Sequence, residues 1–526
     1  VGSEMCIRDS PYHSYQVVLN RGGVSLIIDS GLVRNSRQIW DFGELVSVCK
    51  EWKKIINYVK RKRKKRILKS LAYLLKFASL IFLIPIPFSI IFHEEKCFFV
   101  FIVSGGIIFL ISRLFLIFVR KKKKNLDDEI TFAESLVVVA LLWLIVTLIS
   151  ALPFFLTGQG SYLDSWYETM SAWTTTGFSL FNPDVLPKTL ILWRSLMAFI
   201  GGIGIVSLAI GGLIRVGSTS LARAEGFSQK IRPNILNSVK VIWKIYLFFL
   251  VLGTLALTFI AKIDLFRSFN YAAVAISTAG FTTDSFGIIG FHSLSLEIIL
   301  VVLMILGATS FYTHHLFFSG KIKKIFRSQQ FRLFFILLII GIAGLLPLYP
   351  FRKNIFQVVS ALTTSGFNTA KISYWDNFSK SILIFLMLIG GASGSTAGGL
   401  KLSRMIIVSR AIITEIRKIF QPHLVIVQKV EGTIYRHNEV NAVLKFVLLF
   451  LIILGFSTLV FIAYGYPPIN SLFQTTSAMA TTGLSVISNY RSPILKLTII
   501  FDMFLGRLEI WAIIILIISI FKRKED

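Results

Sequence analysis

The sequence predicts an all-α membrane protein: about ten transmembrane helices, four membrane-pore-membrane repeats in one chain with pseudo-fourfold symmetry around a central pore, plus an N-terminal helical hairpin. Three observations predict it. Of 526 residues, 54% are apolar and only 16% are charged, which excludes an ordinary soluble domain. The basic residues gather at the ends of the apolar stretches. A Thr/Ser-rich pentad ending in glycine occurs four times in one register.

A helical span needs about 20 mostly apolar residues. Ten stretches qualify, near 67–92, 97–119, 131–156, 187–214, 239–262, 293–319, 331–350, 379–409, 437–464 and 494–521. The runs are continuous rather than alternating, which favours helices over a barrel.

The formal charge of +29 does not indicate nucleic acid, because that reading needs basic residues gathered on a folded soluble surface. Here they flank spans: KRKRKKR (60–66), RKKKK (120–124), KIKK (321–324) with Arg327, Lys401 with Arg404 and Arg410, RK (417–418) and KRK (522–524). Cytoplasmic flanks carry the Lys/Arg excess, so all of these belong on one side. Ten spans satisfy that condition, since an even number of crossings separates successive clusters. Both termini are then cytoplasmic and the pentad connections face outward.

Cys6, Cys49 and Cys97 form neither a disulfide framework nor a metal-ligand spacing. Residues 1–50 are polar and mixed, so no cleavable signal peptide is expected. The first ten residues, VGSEMCIRDS, read as unrelated to the rest of the chain. The run at 60–66 reads as a membrane-surface and topology signal that contacts lipid.

The pentads lie in SAWTTTGFSLF, VAISTAGFTTD, VSALTTSGFNT and TSAMATTGLSV. Aligned on Gly177, Gly280, Gly366 and Gly483, they share Ala172, Ala275, Ala361 and Ala478 five places earlier, and Thr175, Thr278, Thr364 and Thr481 two places earlier. Copies recurring at this scale mark a structural repeat. Each follows a short helical pattern that cannot cross a bilayer and must dip in from outside, leaving the pentad as non-helical backbone at membrane depth. Such backbone is tolerated where it lines a water-filled cavity or is buried in protein. Four copies most simply surround one pathway.

An alkali cation suits that pathway. Backbone carbonyls replace its hydration shell, hydroxyls add oxygens, and glycine supplies positive φ. The C-terminal ends of the short helices favour a cation. The expected filter comprises Thr174, Thr175, Thr176 and Gly177; Ser277, Thr278, Ala279 and Gly280; Thr363, Thr364, Ser365 and Gly366; and Thr481, Thr482 and Gly483. With one glycine per pentad against two in TVGYG loops, softer discrimination between potassium and sodium is expected.

Over about 130–521 the chain resembles the TrkH/KtrB family of potassium uptake proteins, within the superfamily built from four membrane-pore-membrane repeats. FIGGIGIV (199–206), GGASGSTAGGLKLSR (390–404) and GRLEI (506–510) agree, and the hairpin at 67–119 looks like TrkH rather than KtrB. The resemblance implies potassium uptake across the bacterial inner membrane, K+ as transported ion with no organic cofactor in this chain, a homodimer, and a cytosolic nucleotide-binding partner of the TrkA or KtrA kind. Residues 1–66 then form a basic cytoplasmic segment, 67–129 the hairpin, and 130–225, 226–326, 327–430 and 431–526 the repeats.

Gly390, Gly391, Ala392, Ser393, Gly394, Ser395, Thr396, Ala397, Gly398 and Gly399 make an unbroken helix costly, at roughly 1 kcal/mol per glycine relative to alanine. The resemblance makes this segment a gating loop beneath the filter. Gly390, Gly394 and Gly398, four apart, equally suit a helix-packing face. Arg507 is a charge inside the last span and a functional candidate by default. The resemblance places it in the pore; the alternative is a buried ion pair, with Glu509 or Asp502 bonded elsewhere. Glu168, Arg194 and Glu297 read as interfacial or packing charges, and His314 and His315 as cytoplasmic-end residues.

No nucleophile with its base and no histidine–carboxylate cluster stands out, so an enzyme is not expected. A secondary transporter of another fold, a scaffold for a soluble partner and a KtrB-type sodium-dependent subunit are the alternatives. Four parallel repeats argue against the first, any ion flux against the second, and an integral hairpin at 67–119 against the third.

Overall fold

The computed structural model describes residues 4–8, 14–20, 23–28, 63–119, 130–204, 235–421, 428–430, 433–487, 490, 492–508, 510 and 513–515. Outside these lie the basic run 120–124, the run 522–524, Cys49, Glu509 and the last two residues of FIGGIGIV. The chain divides into two units, Val1–Lys65 and Arg66–Asp526. The first contains an antiparallel three-stranded sheet, Glu4–Arg8, Ser14–Asn20 and Gly23–Ile28, in sequential order, which the sequence did not suggest.

Among the described residues, five helices are long and apolar enough to cross a membrane: Arg63–Ile91, Glu95–Val119, Phe132–Leu156, Asn237–Phe259 and His437–Ala463. They are the hairpin and the first spans of three repeats. The third repeat begins with the shorter apolar helix Gln329–Leu345. The hairpin is built into the core. Phe82 and Phe101 are fully buried against Trp193, which meets Trp173 edge-on. At one end Arg66 pairs with Glu134 at 2.7 Å. Glu94, in the turn between the two hairpin helices, accepts from the backbone N–H groups of Lys188 and Thr189 at 2.7 and 3.0 Å.

Four short helices follow the first spans: Tyr162–Trp173, Leu265–Ile276, Phe351–Leu362 and Pro468–Met479, each of 12 residues. At 1.5 Å per residue each rises about 18 Å, against about 30 Å of hydrocarbon. Ser161 and Asp264 cap the first two through side-chain oxygens. Pro350 and Pro467 precede the other two, where no N–H is needed.

One second span differs from the expected continuous helix. The stretch read as 293–319 is two helices, Leu294–Ala308 and Phe311–Phe318, bent by 104°. Ser310 caps the second piece by accepting from Thr313 N–H at 3.2 Å, so the chain restarts a helix in a new direction. The stretch 379–409 is interrupted between Asn377–Ile389 and Leu402–Phe420, as the glycines lead one to expect. The first and fourth second spans begin as Lys188–Ile203 and Pro493–Leu508.

Polar bridges join neighbouring repeats outside the ring. Arg194 donates to the Thr282 carbonyl at 3.1 Å, Arg352 pairs with Glu297 at 2.7 Å, and the buried Lys380 ammonium donates to Asn470 Oδ1 at 3.1 Å. Lys496 pairs with Asp164, closing the circuit from the fourth repeat to the first.

Candidate functional site: the ring of four pentads

All four short helices end the same way. Thr175 N–H donates to Ala172 O and Thr176 N–H to Ser171 O; the same pair of bonds recurs at Thr278 and Ala279, Thr364 and Ser365, and Thr481 and Thr482. This double bond pattern closes a helix through a residue in the left-handed region. That residue is threonine in each repeat: φ is 56° at Thr175, 55° at Thr278, 52° at Thr364 and 48° at Thr481. A left-handed L-residue costs roughly 1–2 kcal/mol, and glycine is the usual occupant. Two residues on, Gly177, Gly280, Gly366 and Gly483 also have positive φ, between 71° and 90°. Glycine was expected to supply the positive φ by itself; the structure shares it with the threonine, so the chain reverses twice within each pentad.

The pentads meet in a closed cycle. A Cβ added to Gly177 would collide with Ala279 O, one on Gly280 with Ser365 O, one on Gly366 with Thr482 O, and one on Gly483 with Thr176 O. Each glycine therefore presses on the carbonyl preceding the glycine of the next repeat, and the fourth returns to the first. The fifteen sequence-predicted residues are brought together, with every Thr, Ser and Ala among them buried. Hydroxyl pairs alternate around the ring: Thr174 bonds Thr176 at 2.8 Å and Thr363 bonds Ser365 at 2.9 Å, while the second and fourth repeats carry Ala279 and Ala480 at one of these positions.

The segment 390–399 is irregular backbone, so Gly390, Gly394 and Gly398 do not form a helix face. Gly390, Gly394 and Gly399 have φ of 71°, 74° and 76°. The segment fills the break in the second repeat: Phe311 N–H donates to Gly394 O at 2.9 Å and Ala392 N–H to Ala308 O at 3.0 Å. The Gly391 carbonyl accepts from Leu402 N–H at 3.0 Å, tying the segment to the start of the next helix. Ser393 N–H donates to Gln330 Oε1 at 3.0 Å, Ser393 and Ser403 hydroxyls are bonded, and Ser395 Oγ donates to Ala392 O at 2.6 Å.

Thr396 is the segment's anchor. Its hydroxyl donates to Ile276 O at 3.0 Å and Gly307 O at 2.9 Å, and accepts from Thr278 Oγ1 at 3.4 Å. Gly398 N–H donates to Thr364 Oγ1 at 2.7 Å. The ammonium of Lys401 donates to Ala397 O.

Arg507 reaches the same place from the last span. Nη1 donates to Thr396 O at 3.0 Å and lies 3.4 Å from Thr175 Oγ1; Nη2 donates to Gly202 O at 2.6 Å and to Gly201 O. Asp502, one of the carboxylates considered for an ion pair, instead accepts from Ser457 Oγ at 2.7 Å. The segment, Gly506, Arg507 and Thr481 line a cavity of about 1010 Å³ that also touches Lys324, Arg327, Lys401 and Arg404.

Sequence reasoning missed three things. The left-handed threonines carried no signal, because threonine disfavours that region. Lys401 was counted only as a flanking charge. His314 is buried and its Nε2 bonds the Leu306 carbonyl at 2.9 Å, beside the bend, where Thr309 N–H meets the same carbonyl at 3.3 Å. Of the other charges, Glu168 and Arg194 form a buried pair at 3.1 Å behind the first pentad.

Comparisons with known proteins agree with this geometry. The family model for TrkH, described as a cation transport protein, matches residues 98–349 and 345–524. An uncharacterized cation transporter of Methanocaldococcus jannaschii is 31% identical over 466 residues, covering 86% of this chain and 95% of its own. The Trk system potassium uptake protein TrkH of Escherichia coli K12 is 30% identical over 431 residues, covering 77% and 88%. The crystal structure of the potassium transporter TrkH from Vibrio parahaemolyticus superposes with a TM-score of 0.74 at 25% identity, covering 86% of this chain and 98% of that one. The chain therefore belongs to the TrkH family of cation transport proteins.

Proposed function

We propose that this chain is the ion-translocating subunit of a Trk-type potassium uptake system in the bacterial inner membrane, with both termini cytoplasmic. The observation that carries the proposal is the closed cycle in which each pentad glycine abuts the carbonyl of the next repeat. Only a ring so closed presents carbonyls from four sides to one dehydrated cation.

The selectivity filter in this reading is the set of fifteen pentad residues from Thr174 to Gly483. Segment 390–399 is the gate: hydrogen bonds tie it to the underside of the ring at Thr278 and Thr364. The Arg507 guanidinium is a latch and an electrostatic barrier. A unit positive charge about 4 Å from a cation costs about 4 kcal/mol in a protein-like medium, so the pathway conducts when segment and arginine move aside together.

The basic residues Lys324, Arg327, Lys401 and Arg404 on one cavity support a cytoplasmic placement of that end. A TrkA-like nucleotide-binding subunit, docking there on a homodimer, would supply the regulation. The hairpin's Phe82 and Phe101 in the core favour a TrkH-type over a KtrB-type subunit. No organic cofactor and no catalysis are needed for this role.

Expression in a bacterium lacking its own potassium uptake tests the proposal. Growth at low external potassium, accompanied by rubidium uptake that excess sodium does not block, is expected. Well-expressed protein with the cognate subunit present and no growth would oppose it.

A further inference from the structure

The residue nine places before each pentad glycine is polar and buried: Glu168, Tyr271, Gln357 and Gln474. Each lies on a short helix, about two and a half turns back from the filter, yet each bonds the chain just after the glycine. Glu168 accepts from Ser179 Oγ at 2.8 Å and Leu180 N–H at 3.1 Å. Tyr271 OH meets Asp284 Oδ2 at 3.4 Å, and Gln357 Nε2 meets Thr369 Oγ1 at 3.4 Å.

Gln474 makes the fullest set. Its one carbonyl oxygen accepts from Ser485 Oγ at 3.2 Å, Val486 N–H at 3.1 Å and Ile487 N–H at 3.2 Å, while its amide donates to Tyr490 OH. The bracing is therefore uneven: strong in the adjacent fourth and first repeats, thin in the second and third. The aromatic contact of Tyr167 with Tyr490, at 6.0 Å, runs between the two well-braced repeats.

We propose that these four residues are selectivity-positioning residues, with Gln474 foremost: they hold the limb leaving each glycine and so fix where the ring carbonyls stand. The inference rests on the reading of the pentads as a filter. The physical reason is that discrimination between two cations of one charge depends on carbonyl position and stiffness, whereas passage requires only that a polar path exist. A site left loose by a fraction of an ångström by its supporting groups keeps its ligands and loses its precision. None of the four need touch the ion. A buried hydrogen-bond network such as the one centred on Gln474 rigidifies what it contacts.

The test uses the full chain in potassium-uptake-deficient cells in which the wild type restores growth, with labelled rubidium and sodium as probes. Gln474→Leu is expected to lower the rubidium-to-sodium uptake ratio by about tenfold, the effect of roughly 1.4 kcal/mol, without reducing rubidium uptake per molecule. Tyr490→Phe, which removes only the hydroxyl orienting the Gln474 amide, is expected to lower the ratio by a smaller factor; it decides the matter if Gln474→Leu does not reach the membrane. Gly366→Asp is the control for the filter. If Gly366→Asp abolishes uptake while neither bracing variant changes the ratio, the inference fails and the filter stands. If Gly366→Asp keeps the wild-type ratio, the filter reading fails and the inference falls with it.

Discussion

Arg507 donates from Nη1 to the carbonyl oxygen of Thr396 at 3.0 Å, joining the last span to the interrupted span of the third repeat. Replacing this arginine removes both the bond and the positive charge beneath the ring. Arg507→Ala is expected to raise resting rubidium flux by about tenfold or more, given a charge term of a few kcal/mol, at unchanged membrane abundance. Normal flux per molecule with reduced abundance would assign Arg507 to folding instead.

The Thr396 hydroxyl, donating to Ile276 O and Gly307 O, holds the same segment from its other side. Thr396→Val keeps the shape and strips Ile276 O of the hydroxyl, while Gly307 O keeps the backbone N–H of residue 396 at 3.2 Å, a loss of about 1–3 kcal/mol. Its resting flux is expected to rise in liposomes without partner or nucleotide. Deletions within 391–398 should act in the same direction more strongly. Folded deletion protein with wild-type flux would show that the segment is no gate.

Thr481 sits at φ 48° and its hydroxyl has no protein partner among the described residues. Thr481→Gly relieves roughly 1–2 kcal/mol of left-handed strain against about 0.5–1 kcal/mol of added chain entropy in the unfolded state. A slightly higher melting midpoint in detergent is expected, together with weaker preference for potassium over sodium. Stability and selectivity moving down together would mean that the hydroxyl serves packing.

The Asp376 carboxylate, at the exposed start of the helix Asn377–Ile389, is held at about 2, mainly by the Ser379 hydroxyl at 2.6 Å and then by Ser379 N–H at 3.0 Å. Because the folded value lies below the ordinary 3.9 or so of aspartate, its stabilisation is complete above about pH 4 and disappears as the pH falls toward 2. Asp376→Asn is expected to melt at a lower temperature than the wild type at neutral pH, and the difference should narrow across that acidic window. A gap independent of pH would exclude the carboxylate as its source.

The parts legible in the sequence were those written in composition or repetition. The four glycines and four threonines stood at fixed offsets, and a ring closed by Gly483 on Thr176 is what such offsets build. The break at 390–401 was legible because five glycines in ten residues oppose a helix. The bend at Thr309 and Ser310 was hidden inside a continuous apolar run, although Ser310 three residues before Thr313 is a capping signal. The left-handed threonines were invisible for a different reason: local preference argues against them, and the contacts of Gly398 on Thr364, Thr396 on Thr278 and Arg507 on Thr175 show what the hydroxyls there engage. Lys401 was misjudged because a lysine at a span end is ordinarily a solvated flank, whereas this one reaches back to Ala397 O.

The most direct test of the closed ring is potassium-against-sodium flux through the purified full chain in liposomes, with its cognate nucleotide-binding subunit and nucleotide present, for Gly177→Ala, Gly280→Ala, Gly366→Ala and Gly483→Ala one at a time. Every added methyl meets a carbonyl of the next repeat inside 3.0 Å. The wild type is expected to prefer potassium, and each of the four folded variants to lose that preference. A folded wild type passing both cations alike, or any one of the four alanine variants retaining the wild-type preference, would contradict the closed ring.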